Sequence, residues 1–103
     1  MNHFLITYRF ANGSKDEWHQ EIERFIAALE TDPALSGKIS YRSLKSKDGP
    51  TYYHLAAAED EQASKALGER DFFKHYTDRS DVVSGGTVEV LPLELIAETK
   101  LRG

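Results

Sequence analysis

Cysteine is missing from all 103 residues. Its absence excludes disulfides, thiolate nucleophiles and Cys-ligated metals together. Long apolar runs are missing too: no stretch approaches the ~20 residues of a membrane-spanning helix. The N-terminus has no basic segment leading into an apolar one; Phe4, Leu5 and Ile6 open a strand instead. A cytoplasmic location without a membrane partner is the expectation. The thirteen Lys and Arg residues are scattered and the net charge is −4, so a nucleic-acid partner is not expected either. His3, His19, His54 and His75 have no metal-site spacing and no acidic cluster beside them, which predicts no metal. Phosphate-binding loops are absent, since Gly85 and Gly86 follow a helix rather than open one.

What is present suits one folded domain over residues 1–103, with 40% hydrophobic and 29% charged residues. A first strand is predicted over residues 3–10, with Phe4, Ile6, Tyr8 and Phe10 on one face at period two. Asn12-Gly13 turns the chain, and Ser14 with Glu17 reads as a capping box. The helix that follows carries an apolar stripe of Trp18, Ile22, Phe25, Ile26 and Leu29, and Asp32-Pro33 stops it. Strands over residues 38–45 and 51–58 flank Asp48-Gly49, the tip of a hairpin. In the second of them Tyr53, Leu55 and Ala57 share one face, and Tyr52, His54 and Ala56 the other. Asp60 is the predicted cap of a second helix, which breaks near Gly68 and restarts with Asp71 as a second cap. The last strand is predicted over residues 87–100. Its apolar positions shift from even (Val88, Val90) to odd (Leu91, Leu93, Leu95), which predicts a bulge beside Pro92.

The order strand, helix, strand, strand, helix, strand predicts an α+β, ferredoxin-like βαββαβ fold: an antiparallel four-stranded sheet with both helices on one face. The other face would expose one alternation set from each strand. Apolar patches of that kind mark interfaces, so a homodimer packed sheet on sheet is expected, with the end of the last strand crossing to the partner.

The chain resembles the antibiotic biosynthesis monooxygenase domain family of the dimeric α/β-barrel superfamily. The resemblance covers nearly the whole length. It is carried by the element order and by the run Tyr52, Tyr53, His54, Leu55, Ala56, Ala57, Ala58, Glu59, Asp60. Two further carriers are Asp71, Phe72, Phe73, Lys74, His75, Tyr76 and the closing Val88, Glu89, Val90, Leu91, Pro92, Leu93. It implies a dimeric α/β barrel and an enzyme that oxidises a small flat aromatic or quinol-like molecule with no cofactor. Members of other activity leave two alternatives: a non-catalytic homodimer that binds a small hydrophobic ligand, and an isomerase-like enzyme. The family's aromatic group after the third strand and its His early in the second helix have no counterpart, because Ala56, Ala57, Ala58, Ala63 and Ala66 lie there. Haem degradation is disfavoured: His75 could match the His of that constellation, but the first strand has no Asn over residues 4–10 and the one Trp, Trp18, lies on the first helix.

Candidate chemistry falls on a few side chains. His75 could act as the base towards a phenol or a carbon acid; packing alone is the competing role. Tyr53 and Tyr76 are the candidate phenol donors, and Tyr8, Trp18, Phe72 and Arg42 the candidate substrate contacts. Against each stands an ordinary role: aromatic residues suit pleated strands, Trp18 belongs to a core stripe, and Arg42 suits a solvated strand.

Overall fold

The structure, a computed structural model, describes residues 1–100. Its order is β1 (Asn2–Arg9), α1 (Lys15–Thr31), β2 (Ile39–Lys45), β3 (Thr51–Ala58), α2 (Glu61–Gly68), α3 (Asp71–Ser84) and β4 (Glu89–Leu93). The strands form one antiparallel sheet in the order β2-β3-β1-β4, the ferredoxin-like arrangement expected. Local chemistry sets the helix ends. Ser14 Oγ accepts from the Glu17 N–H at 3.3 Å, and Asp60 Oδ1 accepts from the Ala63 N–H at 2.8 Å. Gly85, at φ 62°, closes α3 in the left-handed conformation, and the Gly86 N–H returns to the Asp81 carbonyl at 3.0 Å.

Register divides the sheet into two faces. One carries the rows Val90–Ile6–His54–Ser43 and Pro92–Phe4–Ala56–Tyr41, with Tyr8 and Tyr52 in the next row. The helices cover this face: the α1 stripe of Trp18, Ile22, Phe25 and Leu29 is buried, as are Tyr76, Ser80 and Val83 of α3. The other face carries the rows Leu91–Leu5–Leu55–Arg42 and Glu89–Thr7–Tyr53–Leu44. Leu44, Tyr53, Leu55, Leu91 and Leu93 are 39–46% exposed there.

Three expectations need correction. Asp71 is not a cap: it is the first residue inside α3, and Arg70 holds the cap position without a side-chain cap bond. The Arg70 guanidinium is committed elsewhere, donating to Asp32 Oδ2 at 2.7 Å and Oδ1 at 3.2 Å. That pair ties the end of α1 to the joint between α2 and α3. No bulge lies at Pro92, since β4 pairs with β1 in unbroken register from Thr7–Glu89 to His3–Leu93. The apparent phase change has a simpler cause: even positions face the helices, odd positions the open sheet face, and both sets are apolar. Finally, β4 ends at Leu93, and residues 94–100 carry no strand pairing.

Candidate functional site

A cavity of about 430 Å³ lies between the sheet and the helices. That volume is of the size that holds a small organic ligand. Phe4 and Ile6 of β1, Phe25 of α1, Leu67 of α2 and Phe73 of α3 give it apolar walls. Ala56 and Ala58 contribute to the space because their side chains stop at Cβ where β3 passes under the helices. One end is polar, and its centre is His54.

Side chains from three other elements converge on that imidazole. Nε2 lies 3.0 Å from the Tyr8 hydroxyl of β1 and 3.3 Å from Ser43 Oγ of β2. Nδ1 is hydrogen-bonded to the Tyr41 hydroxyl of β2 and lies 3.2 Å from the Tyr76 hydroxyl of α3. Tyr41 and Tyr76 are joined at 3.0 Å. Behind them the Trp18 indole N–H of α1 donates to the Tyr8 hydroxyl at 2.7 Å. Rings hold the hydroxyls in place: Tyr76 stacks on Phe25 at 3.9 Å and on Trp18 at 5.5 Å, and Tyr8 stacks on Tyr52 at 5.2 Å. Among the described residues no buried side-chain polar atom lacks a partner.

Burial governs the electrostatics. It pushes the His54 pKa down to about 4, so the ring is neutral near pH 7. It also raises Tyr8, Tyr41 and Tyr76 above the ordinary phenol range, so all three keep their hydrogens. The cluster is therefore a neutral array of donors and acceptors in a low-dielectric recess, where hydrogen bonds to a developing charge are strongest. Among the described residues no group of three His, Asp or Glu side chains converges as metal ligands.

The residues singled out from sequence divide sharply. Tyr8 and Tyr76 line the cavity, and Trp18 sits behind Tyr8 as its hydrogen-bond donor. Phe72 packs on Phe25 at 5.9 Å but is not part of the cavity wall. Tyr53 and Arg42 stand on the opposite face of the sheet. His75 points outward, with its side chain 61% exposed and Nε2 at 3.5 Å from Glu21 Oε2. His54 and Tyr41, outside the catalytic and substrate-contact residues expected from sequence, form the heart of the polar end. One signal was available: period two puts His54 on the same face as Tyr52 and Ala56.

Overlay on solved structures places the fold among known proteins. SnoaB, a cofactor-independent oxygenase from Streptomyces nogalater, superposes with a TM-score of 0.76 at 17% identity, over 94% of each chain. The fold is that of the antibiotic biosynthesis monooxygenases. A candidate monooxygenase of this kind from Caulobacter crescentus superposes with a TM-score of 0.77 at 16% identity, over 93% of this chain and 90% of its own. Rv0793 from Mycobacterium tuberculosis gives 0.76 at 12% identity, over 96% of this chain and 98% of its own. No protein-family profile matches the sequence, and neither does any curated protein. Identity this low carries the monooxygenase fold and leaves the chemistry to the residues of this chain.

Proposed function

We propose that this chain is a cofactor-independent, monooxygenase-like enzyme whose substrate is a small, flat aromatic ketone or quinol-type molecule. The observation that carries the reading is the buried, neutral His54, ringed by three phenols at the polar end of a largely apolar cavity. Such a substrate needs no metal or flavin to meet dioxygen. Once it loses a proton to solvent, its own anion supplies the electrons: one oxygen atom of dioxygen bonds to the ring carbon, and the other leaves as water with the two hydrogens that carbon gives up. The protein's part is to make that anion accessible. One hydroxyl of the Tyr41–Tyr76 pair, braced by His54, donates to the substrate oxygen on which charge develops, and the apolar walls limit competing water. Aromatic faces on α1 and α3 hold the ring system flat.

The test is dioxygen uptake with a panel of anthrones and hydroquinones. Uptake above the uncatalysed rate is expected, and Tyr76→Phe should lower it on the order of 100-fold, the usual cost of one lost donor to a developing oxyanion. Tight binding of the panel without uptake would replace the enzyme with a ligand-binding protein.

The same reading places a second copy of the chain against the open sheet face. Leu91, Leu5 and Leu55 form one register row there, and exposed Leu44, Tyr53 and Leu93 extend it. A self-complementary apolar surface of this type closes under two-fold symmetry. Sedimentation should return a dimer of the 11.6 kDa chain at micromolar concentration. Leu55→Asp, which puts a charge at the centre of the row, should convert it to monomer.

A further inference from the structure

The hydrogen bonds around His54 have a direction, and an indole sets it. Trp18 Nε1 can only donate, so its 2.7 Å contact occupies the acceptor side of the Tyr8 hydroxyl. The hydrogen of Tyr8 then has one protein acceptor within reach, His54 Nε2 at 3.0 Å. Ser43 Oγ, at 3.3 Å from the same nitrogen, can donate to it as well. A neutral imidazole carries one hydrogen, which this arrangement places on Nδ1, facing Tyr41 and Tyr76. Those two hydroxyls both accept from Nδ1–H, and one of them donates to the other across 3.0 Å. One phenol hydrogen is left over. Both hydroxyls border the cavity, so that hydrogen is presented to whatever the cavity holds.

The opposite polarity is disfavoured on the same geometry. With hydrogen on Nε2, Tyr8 would face donors from two sides. Its own hydrogen would have no protein acceptor on a residue only 2% exposed, a cost comparable to a lost hydrogen bond.

We infer that the Trp18–Tyr8–His54–Tyr41–Tyr76 cluster is a one-way donor chain, so the oxygen that docks against it is an acceptor: a ring carbonyl or its enolate, not a hydroxyl. This rests on the proposal that the cavity is a ligand site and narrows its substrate to the keto class. A neutral hydroxyl can still accept the phenol hydrogen, but its own hydrogen must then leave the cluster for one of the other polar lining side chains, Ser64, Thr77, Ser80 or Asp81, or go unpaired against the apolar wall. A carbonyl carries no such penalty, and an enolate oxygen strengthens every bond along the chain.

Fluorenone, fluorenol and fluorene share one tricyclic frame and differ only in the oxygen. Calorimetric titration should rank fluorenone about tenfold tighter than fluorenol, the size of effect an unmatched buried donor produces. Long-range proton–nitrogen NMR correlation should find the His54 hydrogen on Nδ1, and Trp18→Phe should populate the Nε2 form and erase the preference for the ketone. Hydrogen on Nε2 in the unaltered protein, fluorenol binding as tightly as fluorenone, or no binding of any of the three would overturn the inference. If Trp18→Phe fails to fold, the tautomer of the unaltered protein and its ligand ranking still decide. Neither readout involves turnover. A ketone preference without dioxygen uptake sinks the oxygenase alone, whereas uptake with hydrogen on Nε2 sinks the donor chain alone.

Discussion

Acidification from about pH 7 to about pH 4 is expected to remove about 3 kcal/mol of folding stability through His54 alone. The unfolded chain binds a proton on this side chain near pKa 6.5, while burial in the folded protein defers binding to about 4. Between those values the unfolded state holds more protons than the folded one, so stability falls as pH falls. Above the upper value the ring is neutral in both states and the penalty is absent. Below the lower value both states are protonated and the loss stops growing. Urea unfolding midpoints across this window measure the effect. His54→Gln should be less stable near neutrality, with its fourfold set of contacts broken, but its midpoint should depend less steeply on pH. Parallel curves for the two proteins would show that His54 accepts a proton in the folded state as freely as in water.

Trp18→Ala should destabilise the fold by about 4 kcal/mol, in the range for large aromatic deletions in a core. Trp18 is 2% exposed, packs edge-on against Tyr8 at 6.2 Å and face-on against Tyr76 at 5.5 Å. Removing the indole leaves a void behind two of the three phenols and takes away the donor to Tyr8. Trp18→Phe refills most of the void and should cost distinctly less. Chemical denaturation of the pair measures both the packing and the polar share. A loss below about 1 kcal/mol for Trp18→Ala would mean that the neighbouring rings collapse into the space.

Much of the architecture was legible because its signals are local. Ser14 and Asp60 cap helices through residues three positions away, Asp48-Gly49 turns a hairpin, and Gly68 breaks the second helical stretch, so element order followed directly. The site is another matter. His54 meets Tyr8 from 46 residues away, Tyr76 from 22 and Tyr41 from 13, and only the assembled sheet brings these together. A histidine in a strand looks the same whether it faces water or a cavity.

Phase along each element nevertheless carries part of the answer. Neighbours on a helix point about 100° apart, so His75 and Tyr76 could not both face the sheet. Neighbours on a strand point oppositely, so Tyr53 and the face of Tyr52 and His54 were mutually exclusive. A Tyr76 that faces the sheet turns His75 outward. The last strand misled for a related reason: a sheet apolar on both sides erases the contrast that alternation needs.

Pro92 sits opposite Phe4 in a strand that has a neighbour on one side only. Proline has no amide hydrogen to offer, so the free rim of β4 is one rung short as a template for further strands. Lateral zippering of the kind that seeds fibrils is thereby discouraged at the one border of the sheet richest in leucine.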